Sequence, residues 1–545
     1  MPECLTIQAK EDSSIEILDS EGKILGIFIV KEDLQRALDL LKKINSLKTK
    51  DGMPIYETRK FAGKSVWAFH QHVIFGNYLR QYVAYEPIIK FLYDHNFSEA
   101  TILGDLGELG KLLEINGVRA VKSKEAVGTF QDRNFLKSLA AKFFSVLITL
   151  GAFLKLFLGR ARLLVYTPDK YSKHDCDFRF AAVYDYLRKN KIGFTEVFHT
   201  LLGKEFYDNF FKRKRAAIYL ESLTFPIFLD SNFNAADIDF SPVESHSTRY
   251  FSYLLAIVDK RAQASIRLIK ILSWLLKLTG VRKVIAIDDM RFTSELVMEC
   301  KLNDIKTFAF QHGAFIKYLV GFMNYGIPRD LSVTFDKLFV WNAYWKKALL
   351  DFSSQYDEKN VEVGGCLREL PAISYKKREA KITDISQVKL LVPYEGMVGP
   401  TNTMKEIKAF VEKFLGLGIS IFFKVRQDVS GREQLENYGL SGNDQVEVIK
   451  EVDEKTLSQV DAVVGSYSTF LNEMLFYDKP VFLMRTSFDM GHRLADDNLA
   501  ILLPDDFRPE NIIDGINNFS SLRDLAWPKA APIEQTLDNI LNFKS

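Results

Sequence analysis

Cysteine is scarce in this chain: there are four in 545 residues, Cys4, Cys176, Cys300 and Cys366, and no two form a CxxC pair. Such spacing excludes a disulfide scaffold and zinc-ligand ribbons, and reduced cytosolic thiols are the simplest reading. Net charge is lacking as well. With 72 Lys and Arg against 70 Asp and Glu the balance is +2, so the chain has no general attraction to polyanions. It also has neither an RNA-binding aromatic motif nor a long basic arm, and no nucleic-acid partner is expected. No run reaches the roughly 20 apolar residues that a membrane-crossing helix takes. The opening Met1-Pro-Glu-Cys-Leu-Thr6 has neither a basic nor an apolar leader character, so no export is expected and the setting is cytoplasmic. A phosphate loop is missing too. Gly104-Asp-Leu-Gly-Glu-Leu-Gly110 has the wrong glycine order, no Lys-Ser/Thr, and two carboxylates that would repel an anion, so it reads as a strand-to-helix turn. No internal repeat or low-complexity tract is visible.

What the chain has in quantity is apolar side chains, 47% against 26% charged, the composition of a well-packed soluble protein. At this length a single core stops growing, so two Rossmann-like domains with an extra amino-terminal unit is the natural count. The most informative stretch is Asp461-Ala-Val-Val-Gly-Ser-Tyr-Ser-Thr-Phe-Leu-Asn-Glu473, followed by Lys479-Pro-Val-Phe-Leu-Met484. It reads as strand, small polar turn, helix, strand. After Gly465, the hydroxyls and backbone N–H groups of Ser466, Ser468 and Thr469 stand at a helix start, where the dipole favours a phosphate. Glu473 lies one turn deeper, within reach of a ribose hydroxyl. An ordinary helix cap explains the same serines and threonine equally well.

A second segment, Lys283-Val-Ile-Ala-Ile-Asp-Asp-Met-Arg291, is followed by Lys306-Thr-Phe-Ala-Phe-Gln-His-Gly313. Both read as buried strands ending at one rim, so Asp288, Asp289, Gln311 and His312 are expected to converge on a cleft. A carboxylate there serves as base or nucleophile, and a neutral imidazole takes a proton or binds phosphate. The plain alternatives are a helix cap for Asp289 and a satisfied core histidine for His312. Asp169, Lys170, Arg179, Glu196 and His199 are second-rank cleft candidates, with a local ion pair between Arg179 and Asp175 or Asp177 as the alternative.

At the Ser/Thr-rich turn with its acidic helix residue, the chain resembles the carboxy-terminal domain of GT-B glycosyltransferases, especially those of bacterial surface polysaccharides and teichoic-acid-type polymers. The Gln311-His-Gly313 strand end, about fifty residues before the turn at Val363-Gly-Gly365, resembles them too. So do the strand Asp336-Lys-Leu-Phe-Val-Trp-Asn342, the closing Val361-Glu-Val-Gly-Gly-Cys-Leu-Arg368, and Lys389-Leu-Leu-Val-Pro-Tyr-Glu-Gly396, which would open the second domain. The chain departs from the pattern at Lys424-Val-Arg-Gln427. CMP-sugar-using relatives carry His-Pro there, and Lys424 fits while His-Pro is absent. Arg426 can replace the histidine, because its planar guanidinium binds phosphate oxygens in pairs.

The resemblance implies an α/β fold of GT-B type: an α+β extension over 1–99, an acceptor domain over 100–366 and a nucleotide-sugar domain over 367–545. It implies transfer of a sugar from a nucleotide-activated donor, with a CMP-sugar such as CMP-Kdo favoured, to a surface-polysaccharide or lipid-linked glycan. Lys424, Arg426, Gly465, Ser466, Ser468, Thr469 and Glu473 would hold the donor, and Asp289, Asp288 and His312 would carry the chemistry. No cofactor or metal is implied. Asp175-Cys-Asp177 and Asp237-Ile-Asp239 do not end convincing strands, and such relatives generally use no catalytic metal. A nucleotide-sugar 2-epimerase shares the architecture, and the missing His-Pro leaves a non-catalytic, membrane-associated assembly subunit as a further reading.

Three segments bear on membranes. Residues 143–158 are apolar apart from Lys155 and small polar residues and lead into Arg160 and Arg162; they read as either a buried helix or one lying in the inner leaflet. Residues 264–278 place Arg267, Lys270, Trp274 and Lys277 along one helical face. The cluster Lys212-Arg-Lys-Arg215 is either a solvated surface or a patch for anionic lipid. The aromatic stretch from Trp67 to Tyr85 reads chiefly as core, with a sugar platform as the alternative.

Overall fold

Among the described residues, alternating and continuous apolar runs fold into three sheets of five or more strands. The computed structural model describes every residue except 1–4, 11–13, 104–108, 123–134, 160, 168–175, 199–216, 225–232, 288–291, 368–369, 371–372, 374–379, 396–400, 427–429, 487–492 and 544–545. The first sheet holds β1 (Leu5–Ala9), β2 (Ser14–Leu18) and β3 (Ile24–Ile29) as antiparallel neighbours. Helix α1 (Leu34–Ser46) starts at Asp33, whose carboxylate accepts the Arg36 N–H at 2.8 Å. Helix α2 (Arg80–Asp94) sends Tyr82 to stack on Tyr250 with ring centroids 4.3 Å apart. Trp67 and Tyr82 are buried, so the aromatic stretch packs as core.

The strand at residue 100, expected to open the acceptor domain, behaves differently. As β4 (Glu99–Leu103) it runs parallel to β1, and β5 (Arg119–Lys122) extends the same sheet. Ala100 and Ile102 join the core of Leu5 and Ile7, so the first unit extends through residue 122. A free parallel edge beside β1 captures the strand.

Helix α3 (Phe135–Leu158) precedes the second sheet, formed by β6 (Leu163–Thr167), β7 (Phe194–Phe198), β8 (Ala217–Tyr219), β9 (Lys283–Ile287), β10 (Lys306–Phe310), β11 (Lys337–Val340) and β12 (Val361–Val363). All are parallel, in the order β8-β7-β6-β9-β10-β11-β12. A parallel sheet is covered on both faces, and successive residues go to opposite cores. Leu164, Tyr166, Val284 and Ala286 pack on one side, while Leu163, Val165, Ile285 and Ile287 pack on the other. Helix α4 (Thr248–Lys277) ties the units together: Phe251 and Leu254 sit in the first core, and Leu268, Leu272 and Leu276 sit under the second sheet.

The third sheet repeats the scheme with β13 (Lys389–Pro393), β14 (Ser420–Lys424), β15 (Val446–Ile449), β16 (Ala462–Gly465), β17 (Val481–Met484) and β18 (Ile501–Leu503), all parallel, in the order β15-β14-β13-β16-β17-β18. Helix α5 (Phe470–Phe476) follows β16. The last helix, α6 (Ile533–Asn542), leaves this domain and lays Ile533, Leu537 and Ile540 against Phe308 and Phe310 of the second sheet. The expected unit 367–545 therefore returns its final helix to the preceding domain. Gly365 makes this close approach feasible. Its φ is +83°, and a Cβ there would stand 2.6 Å from the Ala531 carbonyl oxygen. The molecule is α/β, with two Rossmann-like sheets of GT-B type and an amino-terminal α+β unit.

Candidate active-site cleft

In an open parallel sheet, ligands bind beyond the carboxyl ends of the strands where the strand order reverses. In the third sheet that point lies between β13 and β16. Glu395 follows the first of these strands and Ser466 follows the second. The two are joined directly. Glu395 Oε1 accepts the N–H groups of Ser466, Tyr467 and Ser468 at 2.9, 3.1 and 2.9 Å, and Oε2 shares that of Ser466 at 2.9 Å. The carboxylate is 4% exposed. Burial pushes its pKa up to about 7, against the opposing pull of the Ser468, Ser466 and Tyr467 N–H groups. Gly465 is required here, since a Cβ would lie 2.6 Å from Glu395 Oε1 and 3.0 Å from the Leu471 side chain.

The backbone donors that the sequence offered to a phosphate are thus engaged by an internal carboxylate. The Ser466 hydroxyl is buried and bonded to that of Thr486 at 2.6 Å. The Ser468 hydroxyl accepts the Phe470 N–H at 3.2 Å, so it satisfies one of the first free donors of the helix, whose N-cap is Thr469. Thr469 looks across to the other domain: a Cβ on Gly313 would lie 3.9 Å from Thr469 Oγ1. The Gln-His-Gly turn and the Ser/Thr turn, read separately in the sequence, therefore meet across the gap between the two parallel sheets. Glu473 is buried one helical turn beyond Thr469.

Lys424 ends β14 with its ammonium 5.0 Å from the centre of the Phe470 ring. The exposed Arg426 has its backbone gripped by the buried Gln434, whose Oε1 accepts the Arg426 N–H at 2.7 Å and whose Nε2 donates to the Arg426 carbonyl at 2.8 Å. Two cations thus stand along the rim beside the turn.

On the opposite rim the sequence candidates divide. Asp288, Asp289 and His199 lie outside the described residues, as do Asp169, Lys170 and the cluster 212–215. His312 is exposed beside Gly313. Gln311 is a clamp instead of a cleft group. Fully buried, it donates from Nε2 to the Gly313 carbonyl at 2.7 Å and accepts the Trp341 N–H on Oε1 at 3.0 Å. It fixes the turn that carries His312. Glu196 is buried in mid-strand, two residues before β7 ends, which removes it from the rim. Arg179 forms the local pair: its Nε and Nη2 donate to the buried Asp177 carboxylate at 3.0 and 2.9 Å. Burial of Asp177 beneath a short 3₁₀ turn draws the guanidinium inward.

Among the described residues, Glu86, Glu244 and His246 form the one grouping with metal-ligand geometry. Arg36 already supplies its cation, with Nη2 2.6 Å from Glu86 and 3.0 Å from Glu244. A cavity of about 1000 Å³ lies beside this group, between α1 and the helix Thr401–Gly416, and reaches Arg485 and Thr486. Through the Thr486–Ser466 bond it adjoins the switch-point turn. Sequence reading missed Glu395, Gln434 and Thr486. For the first, the available signal was an acidic residue directly after an apolar strand and before Gly396.

Fold and cleft define an α/β protein whose two Rossmann-like domains face a cleft. No family model and no curated protein matches the chain. Similar solved structures include MurG of Acinetobacter baumannii, at 12% identity and TM-score 0.41, covering 70% of this chain and 99% of that one. A UDP-GlcNAc 2-epimerase from Neisseria meningitidis bound to UDP-GlcNAc has 14% identity and TM-score 0.38, covering 70% and 98%. The glycotransferase of kitacinnamycin has 14% identity and TM-score 0.39, covering 69% and 93%. Likeness at this level carries no argument about chemistry, which rests on the cleft.

Proposed function

We propose that the chain is a glycosyltransferase that moves a sugar from a nucleotide-activated donor to a surface-polysaccharide or lipid-linked glycan, without a metal. The observation that carries this reading is the meeting of Gly313 and Thr469 across the switch-point cleft, with Lys424 and Arg426 on the same rim. In this reading the two cations and the Thr469 hydroxyl hold the donor phosphates, and Glu473 accepts from the ribose. Charge developing on the leaving nucleotide is offset by fixed cations. Asp289 acts as base or nucleophile, Asp288 orients it, and His312 assists by proton transfer or phosphate contact. A CMP-sugar such as CMP-Kdo is the donor class we favour, and the protein meets its acceptor by peripheral contact with the inner face of the cytoplasmic membrane.

The test is a panel of CMP-, CDP-, UDP- and GDP-sugars, read by thermal stabilisation and by nucleotide release with and without acceptor glycan. Acceptor-dependent release supports transfer. Acceptor-independent interconversion of the sugar would mark an epimerase instead. Asp289→Asn keeps size and removes charge, so turnover is expected to fall by at least about 100-fold with little change in nucleotide affinity. Wild-type turnover in that folded variant would end the assignment. Glu395 favours a second reading: with its carboxylate already in the turn, the chain would be a non-catalytic assembly subunit. Absence of stabilisation by any nucleotide is the outcome expected then.

A further inference from the structure

Helix α3 is inverted relative to an ordinary surface helix. Its inward face presents Ser145, Thr149 and Ala152 along with Phe153 and Leu156, all buried. Outward stand Phe143, Leu147, Leu150, Leu154, Phe157 and Leu158, from 48% to 74% exposed, at the three- and four-residue spacing of one helical stripe. The last turns of α4 add Ile271, Trp274 and Leu278, with Trp274 66% exposed. The two helices pack on one face of the second sheet and lead into the neighbouring strands β6 and β9. Where they exit, the Arg282 N–H donates to the Arg162 carbonyl at 2.9 Å, which holds the two ends side by side.

Charge tells what covers this face. Residues 135–167 contain no Asp or Glu and five Lys or Arg, and residues 260–287 contain none and seven. Lys155, Arg162, Lys270, Lys277 and Arg282 are exposed around the apolar stripe. Two copies of a face with one sign of charge repel, whereas anionic headgroups above an apolar interior satisfy both features at once. A tryptophan among them suits the interface level. No helix among the described residues is long and apolar enough to cross a membrane, so contact of this kind lies along the surface.

We infer that the outer stripe of α3 and the end of α4 form one docking surface for an anionic lipid bilayer. The inference rests on the peripheral contact proposed above and stands whether or not the cleft is active.

The full chain is floated with phosphatidylglycerol–phosphatidylcholine vesicles and with pure phosphatidylcholine vesicles at low and high salt. Binding is expected on the anionic vesicles, weakened by salt. The Leu154→Glu, Phe157→Glu, Trp274→Glu combination is expected to lose it by at least about tenfold with an unchanged melting temperature. Trp274 emission is expected to shift to the blue on vesicle addition, and Trp274→Phe to remove that shift. If the apolar combination does not fold, charge reversal at the exposed Lys155, Lys277 and Arg282 takes its place and must weaken binding equally. No flotation of the wild type overturns both the membrane contact and the surface. Flotation that survives the substitutions overturns this surface alone and leaves the contact. Equal binding to neutral vesicles overturns the role of charge. A wild-type dimer in sedimentation that the variants convert to monomer assigns the face to a second copy and also overturns it.

Discussion

Glu395 binds more protons in the folded chain than in the unfolded one, because burial raises its pKa from 4.5 to about 7. A carboxyl raised in this way stabilises the fold fully below about pH 4.5, and the contribution is lost as pH rises through about 7. At 1.36 kcal/mol per pKa unit the loss is at most roughly 3 kcal/mol. Glu395→Gln keeps an acceptor at the Oε1 position, where three N–H groups arrive. The pH dependence of its urea-unfolding free energy should flatten between pH 4.5 and 7, and a slope equal to wild type would show that this carboxyl is not the titrating group. Glu299, pushed up to about 8 by burial, acts with the same sign over a higher window, so one substitution removes only part of the slope. Gly465→Ala forces a methyl against Glu395 and Leu471, and a loss of about 1–3 kcal/mol in denaturant unfolding is expected.

Elements were legible where a pattern repeats within a dozen residues. The strands at 283–287, 306–310, 420–424 and 462–465 stand where their apolar runs put them, and the turn after Gly465 opens a helix as its serines indicate. The partner of that turn was not legible, because Glu395 lies 71 residues from Ser466 and only the parallel pairing of β13 with β16 brings them together. The pairing of β4 with β1 and the return of α6 are contacts at still longer range. Local pattern gives an apolar face without naming what covers it. The same limit split the candidate site. Gln311 and Arg179 read as cleft groups from position, yet their neighbours at Trp341 and Asp177 engage them. At the α5 start the two roles separate by residue. Ser468→Ala should cost about 1 kcal/mol of stability through the lost bond to the Phe470 N–H, with or without nucleotide. Thr469→Ala should leave stability near wild type and weaken nucleotide binding by about 1–3 kcal/mol in calorimetry. Unchanged affinity would remove Thr469 from the donor site.

Across the whole molecule, the two Rossmann-like domains are joined twice at one place, since the chain passes outward at Gly365 and back beside it at Ala531. Trp527 braces the same region, stacked on Trp341 at 5.6 Å and donating from its indole N–H to the Asn472 carbonyl at 2.6 Å. Leu537→Ala, which hollows the contact of α6 with the second sheet, should cost about 2–5 kcal/mol in unfolding free energy. The returning helix also dictates an order in time. A ribosome delivers the second sheet long before residues 533–542, so Phe308 and Phe310 emerge with the earlier Phe180 and Tyr184 beside them but without the α6 part of their apolar cover. The nascent chain must therefore carry a partly uncovered sheet throughout synthesis of the third sheet, and the first Rossmann-like core is completed only once α6 has emerged.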